Sequence, residues 1–524
     1  MGENGRVEKT SMKPRSMGLE SEFGIALRRD GMWDVDRPGL ACLLLTPLRK
    51  DAPSPTSQRQ TSFFIENGGR LYVDLSVHPE YATPEVCSAT DAVRYDKAGV
   101  LLTNKLRQIC ENELRAETGD DSIEVHVLKN NVDAAGNTYG CHENYMVSGT
   151  VPIDQLSTWL LPYLATRQIF VGAGNITQTP EGEYYFALAQ RSQHITQEVS
   201  ASSTRNRPIL HIRDKPYANA ARFRRLHLIV GDSNIGEYPT FLKMGVTSLI
   251  LRLIETTRFL PKIEKICLEN SVQAIQDISK DLTCKQPIRL ATGKTTTPLG
   301  IQYLFYAACT QFANEYEIPE DERRALTIWG EVLRLIDDNP MKLVGTLDWV
   351  TKKTLVDAAT ARHETSLADP RVRSLDYAYH ELHPDWSLAR SLEKRGILRS
   401  MLDEKDIESA TITPPHNTRA RLRGRTLSAA KAAGFHAMLD WTTFRLSNLH
   451  TSSSEQIFQF DDPLQAHDEE LDDFLEKELR ASSRLRNDKV RRPGGMQRSP
   501  NLIVIHRPRN QPSTHTARPK SNRP

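Results

Sequence analysis

An α+β fold follows from three features of the chain. Two short stretches of alternating polarity, 18–25 and 69–75, read as strands with one chemical and one apolar face, because strand side chains alternate with period two. Residues 91–116 read as a helix, with Val93, Leu102, Leu106, Ile109 and Leu114 as its apolar positions, and the alternating strand 122–128 follows. A helix-rich stretch then runs from Thr240 to about Lys394 without the regular strand–helix alternation of a βαβ protein.

Residues 1–16 are polar and charged with no periodicity and read as a flexible extension, so the fold is expected to begin near Met17. In the first strand Glu20 and Glu22 share a face, about 7 Å apart at the usual strand rise, with Leu19, Phe23 and Ile25 mostly opposite. Prolines and serines between Asp30 and Gln60, above all 51–57, mark a loop. In the second strand Arg70, Tyr72 and Asp74 point one way and Leu71, Val73 and Leu75 the other, with Glu80 and Thr83 just beyond. Further strands are expected at 184–189, 208–212 and 226–230. A smaller unit begins near Ile397, contains Trp441 and ends in an acidic amphipathic helix near 468–479. The expected division is an extension at 1–16, a main domain at 17–396, a small C-terminal domain at 397–482 and a disordered basic tail at 483–524.

Composition narrows the function classes. With 524 residues, 39% hydrophobic and 26% charged, the chain is long enough for a large core and a second domain. The net charge of +2 hides an asymmetry: residues 484–524 carry eleven Lys and Arg against one Asp, which leaves the body acidic and argues against a nucleic-acid-binding core. The tail reads as a solubilising segment, with docking to an acidic partner as the alternative. Seven cysteines without a CxxC pair read as reduced thiols in a cytoplasm. The longest apolar run, 241–254, contains Lys243 and Arg252 and reads as a buried helix, so no membrane association is expected.

Together the two polar strand faces form a carboxylate-lined cradle suited to a hard cation such as Mg²⁺, and therefore to nucleotide phosphates. The same alternation also describes a half-exposed sheet whose polar face meets water, and spacing alone does not separate the two. Other motifs fail. Gly293-Lys-Thr295 lacks the earlier glycine of a P-loop, Gly172-Ala-Gly174 lacks the third glycine of a dinucleotide fingerprint, and His142-Glu143 lacks the second histidine of a zincin. His142 is then either a polar contact or one ligand in a larger carboxylate site.

Longer strings are more specific: Gly-Leu-Glu-Ser-Glu-Phe-Gly (18–24), Asn-Gly-Gly-Arg-Leu-Tyr-Val-Asp (67–74), His-Pro-Glu-Tyr-Ala-Thr (78–83), Lys-Asn-Asn-Val-Asp (129–133), Tyr-Gly-Cys-His-Glu-Asn-Tyr (139–145), Arg-Arg-Leu-His-Leu-Ile-Val-Gly-Asp-Ser-Asn (224–234) and Thr-Arg-Ala-Arg-Leu-Arg-Gly (418–424). In this order they resemble the Pup ligase and Pup deamidase family. The resemblance implies a glutamine-synthetase-like fold, a curved antiparallel sheet cradling ATP and Mg²⁺, backed by helices, with a small C-terminal domain beside it. By motif match Glu20, Tyr72 and Glu80 correspond to metal-binding positions, the tyrosine through its main-chain oxygen, and Glu22 and His142 to candidates for a further metal. Arg70 and Thr83 correspond to ATP contacts, Trp441 to the tryptophan that touches the nucleotide, and Asp74 to the catalytic base.

The implied activity is phosphorylation of the C-terminal glutamate side chain of Pup or a Pup-like modifier, then attack by a substrate lysine to form an isopeptide bond that tags the protein for proteasomal degradation. Deamidases of the family typically carry a long extra loop between the two acidic strands, whereas here 47 residues separate Glu22 from Arg70, as in ligases. Cys141 and the string 172–180 are also similar to ligases, while Lys215 stands where the family usually has an acid. The rival readings are a depupylase or deamidase on the same fold, a small-molecule γ-glutamyl ligase, and a silent scaffold that binds a Pup-like protein.

Overall fold

The two acidic stretches of the sequence meet in one eight-stranded sheet. The computed structural model describes residues 9–34, 39–53, 60–201, 206–212, 215–447 and 455–490. In chain order the strands are β1 (Met17–Glu22), β2 (Ser62–Phe64), β3 (Arg70–Val73), β4 (Pro79–Ala82), β5 (Cys141–Ser148), β6 (Gln197–Ser200), β7 (Pro208–His211) and β8 (Phe223–Leu228). Across the sheet they run β6-β7-β8-β5-β1-β4-β3-β2, and every pairing is antiparallel except that of β6 with β7.

The apolar face of the central strands is buried under helices. Met17, Leu19, Tyr145, Val147, Leu226 and Leu228 pack in one core with Ala92 and Val93 of the helix Ala89–Thr118 and with Phe241 and Met244 of the helix Glu237–Thr256. The second helix is buried nearly all round, which accounts for its apolar sequence, and its charges are paired: Lys243 Nζ donates to the Asp232 carbonyl at 2.6 Å and Arg252 meets Glu322 at 2.5 Å. Among the described residues no helix is long and apolar enough to cross a membrane.

Several elements depart from the sequence expectation, each for a local reason. The run 18–25 is two strands, because the ladder ends where Phe23 N–H bonds to the Pro79 carbonyl, and Gly24–Arg29 then joins a second sheet with Met32–Asp34 and Glu124–Leu128. A side chain at Gly24 would reach within 2.4 Å of the Tyr139 hydroxyl, so a larger residue at this crossing would have to displace that ring. The strand 69–75 stops at Val73, which puts Asp74 in a turn and leaves Leu75, expected in the core, in solvent. The extension read at 1–16 is anchored over its described part. Thr10–Ser11 pairs with Tyr316–Glu317, and the buried Arg15 bonds Glu255 at 2.6 Å; residues 1–8 lie outside the described residues.

The C-terminal unit has its own core of Leu422, Phe435, Phe444, Leu446, Phe458, Phe460, Leu471 and Leu475. Its packing begins later than the boundary expected at Ile397: Leu398 clusters with Tyr379 and Leu392, and Ala410 belongs to the main core. Its last helix, Glu469–Val490, continues past Ser482 into the segment read as tail; residues 491–524 lie outside the described residues.

Candidate active site

Period-two alternation and antiparallel register together build the polar face of the sheet row by row. In one row Tyr72 of β3 lies opposite Glu80 of β4, which lies opposite Glu22 of β1. In the next, Arg70 of β3 and Glu20 of β1 flank Ala82 of β4, and Glu20 is opposite His142 of β5. A third row joins Asn144 of β5, His227 of β8 and His211 of β7. All five of the expected acidic, tyrosine and histidine positions, Glu20, Glu22, Tyr72, Glu80 and His142, are therefore neighbours on one surface.

The carboxylates converge on the His142 ring. Its Nδ1 is 3.2 Å from Glu20 Oε2 and 4.0 Å from Glu80 Oε1, and its Nε2 is 3.7 Å from Glu22 Oε1. Glu20 Oε1 accepts from Asn144 Nδ2 at 3.2 Å and lies 3.6 Å from Arg225 Nη1. Ligand atoms of Glu20, His142 and His227, and separately of Glu22, Glu80 and His142, all lie within 4.8 Å of one another. These are two adjoining groups that share one histidine.

Burial pushes the Glu20 carboxyl up, but His142, His227 and Arg225 outweigh it and hold the group well below the usual carboxylate range. Glu80 is pushed the other way: burial raises it, the charges of Glu20 and Glu22 raise it further, and the hydrogen bond from Tyr72 relieves only part of this. Its Oε1 is buried without a hydrogen-bond partner. Burial also pushes the Tyr72 phenol up, with Glu80 adding to the shift through charge and a hydrogen bond. Burial holds His227 well below its ordinary value, against the pull of Glu20. An orphaned carboxylate oxygen among like charges, beside the His142 ring, is a donor set that a hard divalent cation satisfies, and Mg²⁺ fits it.

Tyr72 reaches this cluster with its side chain, while its main chain sits in the ladder between β2 and β4. Arg70 donates from Nε to Ser62 Oγ at 2.7 Å, lies over the Tyr72 and Phe64 rings, and lines a cavity of about 600 Å³ between the sheet edge and the C-terminal unit. Thr83 lines a second cavity together with Glu20, Asn144, Tyr217, Arg225 and Trp441, but its hydroxyl is already engaged by the Leu19 N–H at 3.0 Å. Trp441 is carried there by the C-terminal unit, its ring edge-on to Phe64 at 5.1 Å and under Arg423 at 4.7 Å. Asp74 lies beyond the end of β3, with Oδ1 accepting from the His78 N–H at 2.6 Å and Oδ2 from the Ser76 hydroxyl.

The C-terminal unit is pinned to the sheet by Glu85, which meets Arg419 at 2.8 Å and Arg423 at 2.9 Å. Arg423 also donates to the carbonyls of Gly68 at 2.6 Å and Trp441 at 3.1 Å, so the seam fixes the tryptophan's backbone. Gly68 has φ 81°, and a side chain there would come within 2.7 Å of the Ala420 carbonyl oxygen.

Asn144, Arg225 and His227 were not singled out in the sequence. The signal was present, since Asn144 is two residues from His142 and Arg225 two from His227 on alternating strands. The rejected motifs are structural: Gly293, at φ 79°, turns a short hairpin, and Gly172–Gly174 leads from a short helix into a strand, the reverse of a dinucleotide-binding turn.

The family model described as Pup-ligase protein matches residues 15–445, which contain the whole cradle and Trp441. The chain belongs to the Pup-ligase family. It is 39% identical over 464 residues to a protein named Pup–protein ligase from Acidimicrobium ferrooxidans, covering 88% of this chain and 98% of that one. It is 37% identical over 467 residues to a Pup–protein ligase from Kineococcus radiotolerans, covering 89% and 100%. Among solved structures, the ligase PafA in complex with the prokaryotic ubiquitin-like protein Pup aligns with a TM-score of 0.82 at 32% identity, over 92% of this chain and 95% of that one. PafA in complex with ADP aligns with a TM-score of 0.74 at 33% identity, over 92% and 99%. The α+β family fold, with its antiparallel sheet backed by helices, is thus the fold of this chain.

Proposed function

We infer that this protein is an ATP-dependent ligase that phosphorylates the C-terminal glutamate side chain of Pup, or of a Pup-like protein, and joins it to substrate lysines by an isopeptide bond. The observation that carries the reading is the family match over residues 15–445, which spans every strand of the cradle. The deamidase reading lacks comparable support, since the relatives compared are named as ligases. The seven cysteines, all free thiols, fit a reducing cytoplasm.

The residues divide the work along the sheet. A carboxylate is a poor electrophile until it is phosphorylated, so ATP must be held with its γ-phosphate at the modifier's glutamate. Arg70, on the strand next to the sheet edge, and Trp441, across the seam, supply a guanidinium for phosphates and a ring for the nucleotide. Glu20, Glu22, Glu80, Tyr72 and His142 would hold Mg²⁺, which when bound neutralises charge on the transferred phosphoryl group. Asp74 then takes a proton from the incoming lysine. Free lysine titrates near 10.4 and aspartate near 3.9, a gap of about six units that desolvation of the ammonium and concerted attack must narrow. The turn holds Asp74 through one hydrogen bond to each oxygen, and each oxygen keeps a further lone pair for the amine.

Conjugation of Pup to a lysine-bearing protein, with Mg²⁺ and ATP, tests the reading in wild type and in Asp74→Asn. The variant is expected to bind ATP and Pup while isopeptide formation falls by about two to four orders of magnitude. Conjugation by Asp74→Asn at the wild-type rate, or loss of ATP affinity alone, removes Asp74 from the role of base. A wild-type protein that instead releases ammonia from a glutamine-ended Pup without forming isopeptide is a deamidase.

A further inference from the structure

The turn that carries Asp74 has an anchored base and an unsheltered tip. At its base Asp74 N–H donates to the His78 carbonyl at 3.0 Å and His78 N–H returns a bond to Asp74 Oδ1. The His78 ring stacks on Tyr139 with centroids 4.4 Å apart, and its Nδ1 lies 3.2 Å from the Phe23 carbonyl oxygen. Tyr139 is fixed in turn, its carbonyl accepting from Asn131 Nδ2 at 3.1 Å and from Arg191 Nη1. At the tip, Leu75 is 102% exposed and Val77 58% exposed, and no other large apolar side chain among the described residues is as exposed as Leu75.

Folding does not explain this choice of residues. Val77 has φ 69°, a left-handed conformation that a β-branched side chain adopts only under strain and that glycine or asparagine would take more easily. Leu75 gains nothing from burial in this conformation, and the turn would be as well formed with a polar residue there. Two apolar side chains thus stand in water within three residues of Asp74.

We propose that Leu75 and Val77 determine which nucleophile takes the acyl phosphate, by closing over the activated carbonyl and excluding water until a lysine arrives. The proposal rests on the ligase reading. With lysine, the C–N bond forms and the bond from carbon to the phosphate oxygen breaks; the ammonium becomes an amide by shedding two protons, one to the base and one that leaves on phosphate. With water, the same bond breaks, the glutamate carboxylate is regenerated, and the net result is ATP hydrolysis to ADP and phosphate. Water is always in great excess over protein lysine, so a ligase needs an apolar cover over an intermediate that either nucleophile can attack.

The test is the ratio of ADP released to isopeptide formed, measured with Pup, ATP, Mg²⁺ and a lysine-bearing protein. In the double variant Leu75→Ser/Val77→Ser the ratio should rise about tenfold, while Leu75→Met, which keeps an apolar cover, should stay near wild type. Ile263→Ser, which removes a remote apolar side chain that is 44% exposed, serves as the control and should leave the ratio unchanged. An unchanged ratio in the double variant overturns the proposal, as does a rise in Leu75→Met equal to that of the double variant, or a parallel fall of ADP release and isopeptide formation. Wild-type protein that forms no isopeptide at all overturns the ligase reading itself, and the proposal with it.

Discussion

Glu80 and Glu85 lie close together in the chain, on and just past one strand of the sheet, and the protein surrounds them in opposite ways. Around Glu85 stand two arginines; burial pushes its carboxyl up, but Arg423 and Arg419 outweigh this and hold it down at about 2. Around Glu80 stand Glu20 and Glu22, and its Oε1 has no hydrogen-bond partner. A buried charge that is paired internally serves position, since its partners come from another part of the chain and removing any one of them leaves the others stranded. A buried charge set among like charges costs stability, and that cost is sensible only where a ligand of opposite sign completes the site. The first cluster joins the C-terminal unit to the sheet, and the second is the one proposed to hold Mg²⁺.

The sharpest way to break this comparison is to remove the carboxylates of the cradle. Glu80→Ala should abolish Mg²⁺-dependent ATP turnover, a loss of about a thousandfold or more, while the melting temperature holds or rises because a like charge has gone. Glu20→Ala should lose turnover as fully. Normal turnover in both variants rejects the site.

The opposite pattern is expected at the seam. Glu85→Ala strands Arg419 and Arg423, and the stability of the protein should fall by about 3–5 kcal/mol, read by chemical denaturation. ATP affinity should weaken as well, because Arg423 also holds the Trp441 carbonyl. A variant with unchanged stability means that the seam is not what fixes the C-terminal unit.

The sequence made the composition of the cradle legible and left its assembly hidden. Alternation placed Glu20 with Glu22 and Arg70 with Tyr72 correctly, because side-chain direction within a strand is local. That Glu22 faces Glu80, and Glu20 faces His142, depends on pairings between distant segments, which no local pattern encodes. Leu75 was misplaced because alternation was extended past Val73 into a hairpin turn whose apolar residues face water. Arg15 was missed because a single buried arginine in a polar segment has no periodic signature; its partner Glu255 is at the far end of another helix. The helix beyond Ser482 was hidden by composition, since its arginines resemble a solvated tail although arginine is a good helix former.

The smallest expected effect sharpens the comparison most directly, because it depends on charge rather than on removing atoms. Mg²⁺ that binds the folded cradle should raise stability at pH 7 by about 1.4 kcal/mol when present at tenfold its Kd, with no such gain in Glu80→Ala. The pH dependence has a definite sign. The Glu80 carboxyl is raised in the folded protein, so its charge costs stability above its ordinary value of 4.5 and costs nothing below it, where the group is protonated in both states. The Mg²⁺ effect should therefore fade as the pH is lowered to about 4.5. Glu85 behaves inversely: its contribution is complete above 4.5 and is lost only as the pH falls toward 2, so acid should abolish the Mg²⁺ gain before it opens the seam. Thermal melts with and without Mg²⁺ across this range check the order, and a Mg²⁺ gain that survives at pH 4.5 would show that the cation is held by something other than the cradle carboxylates.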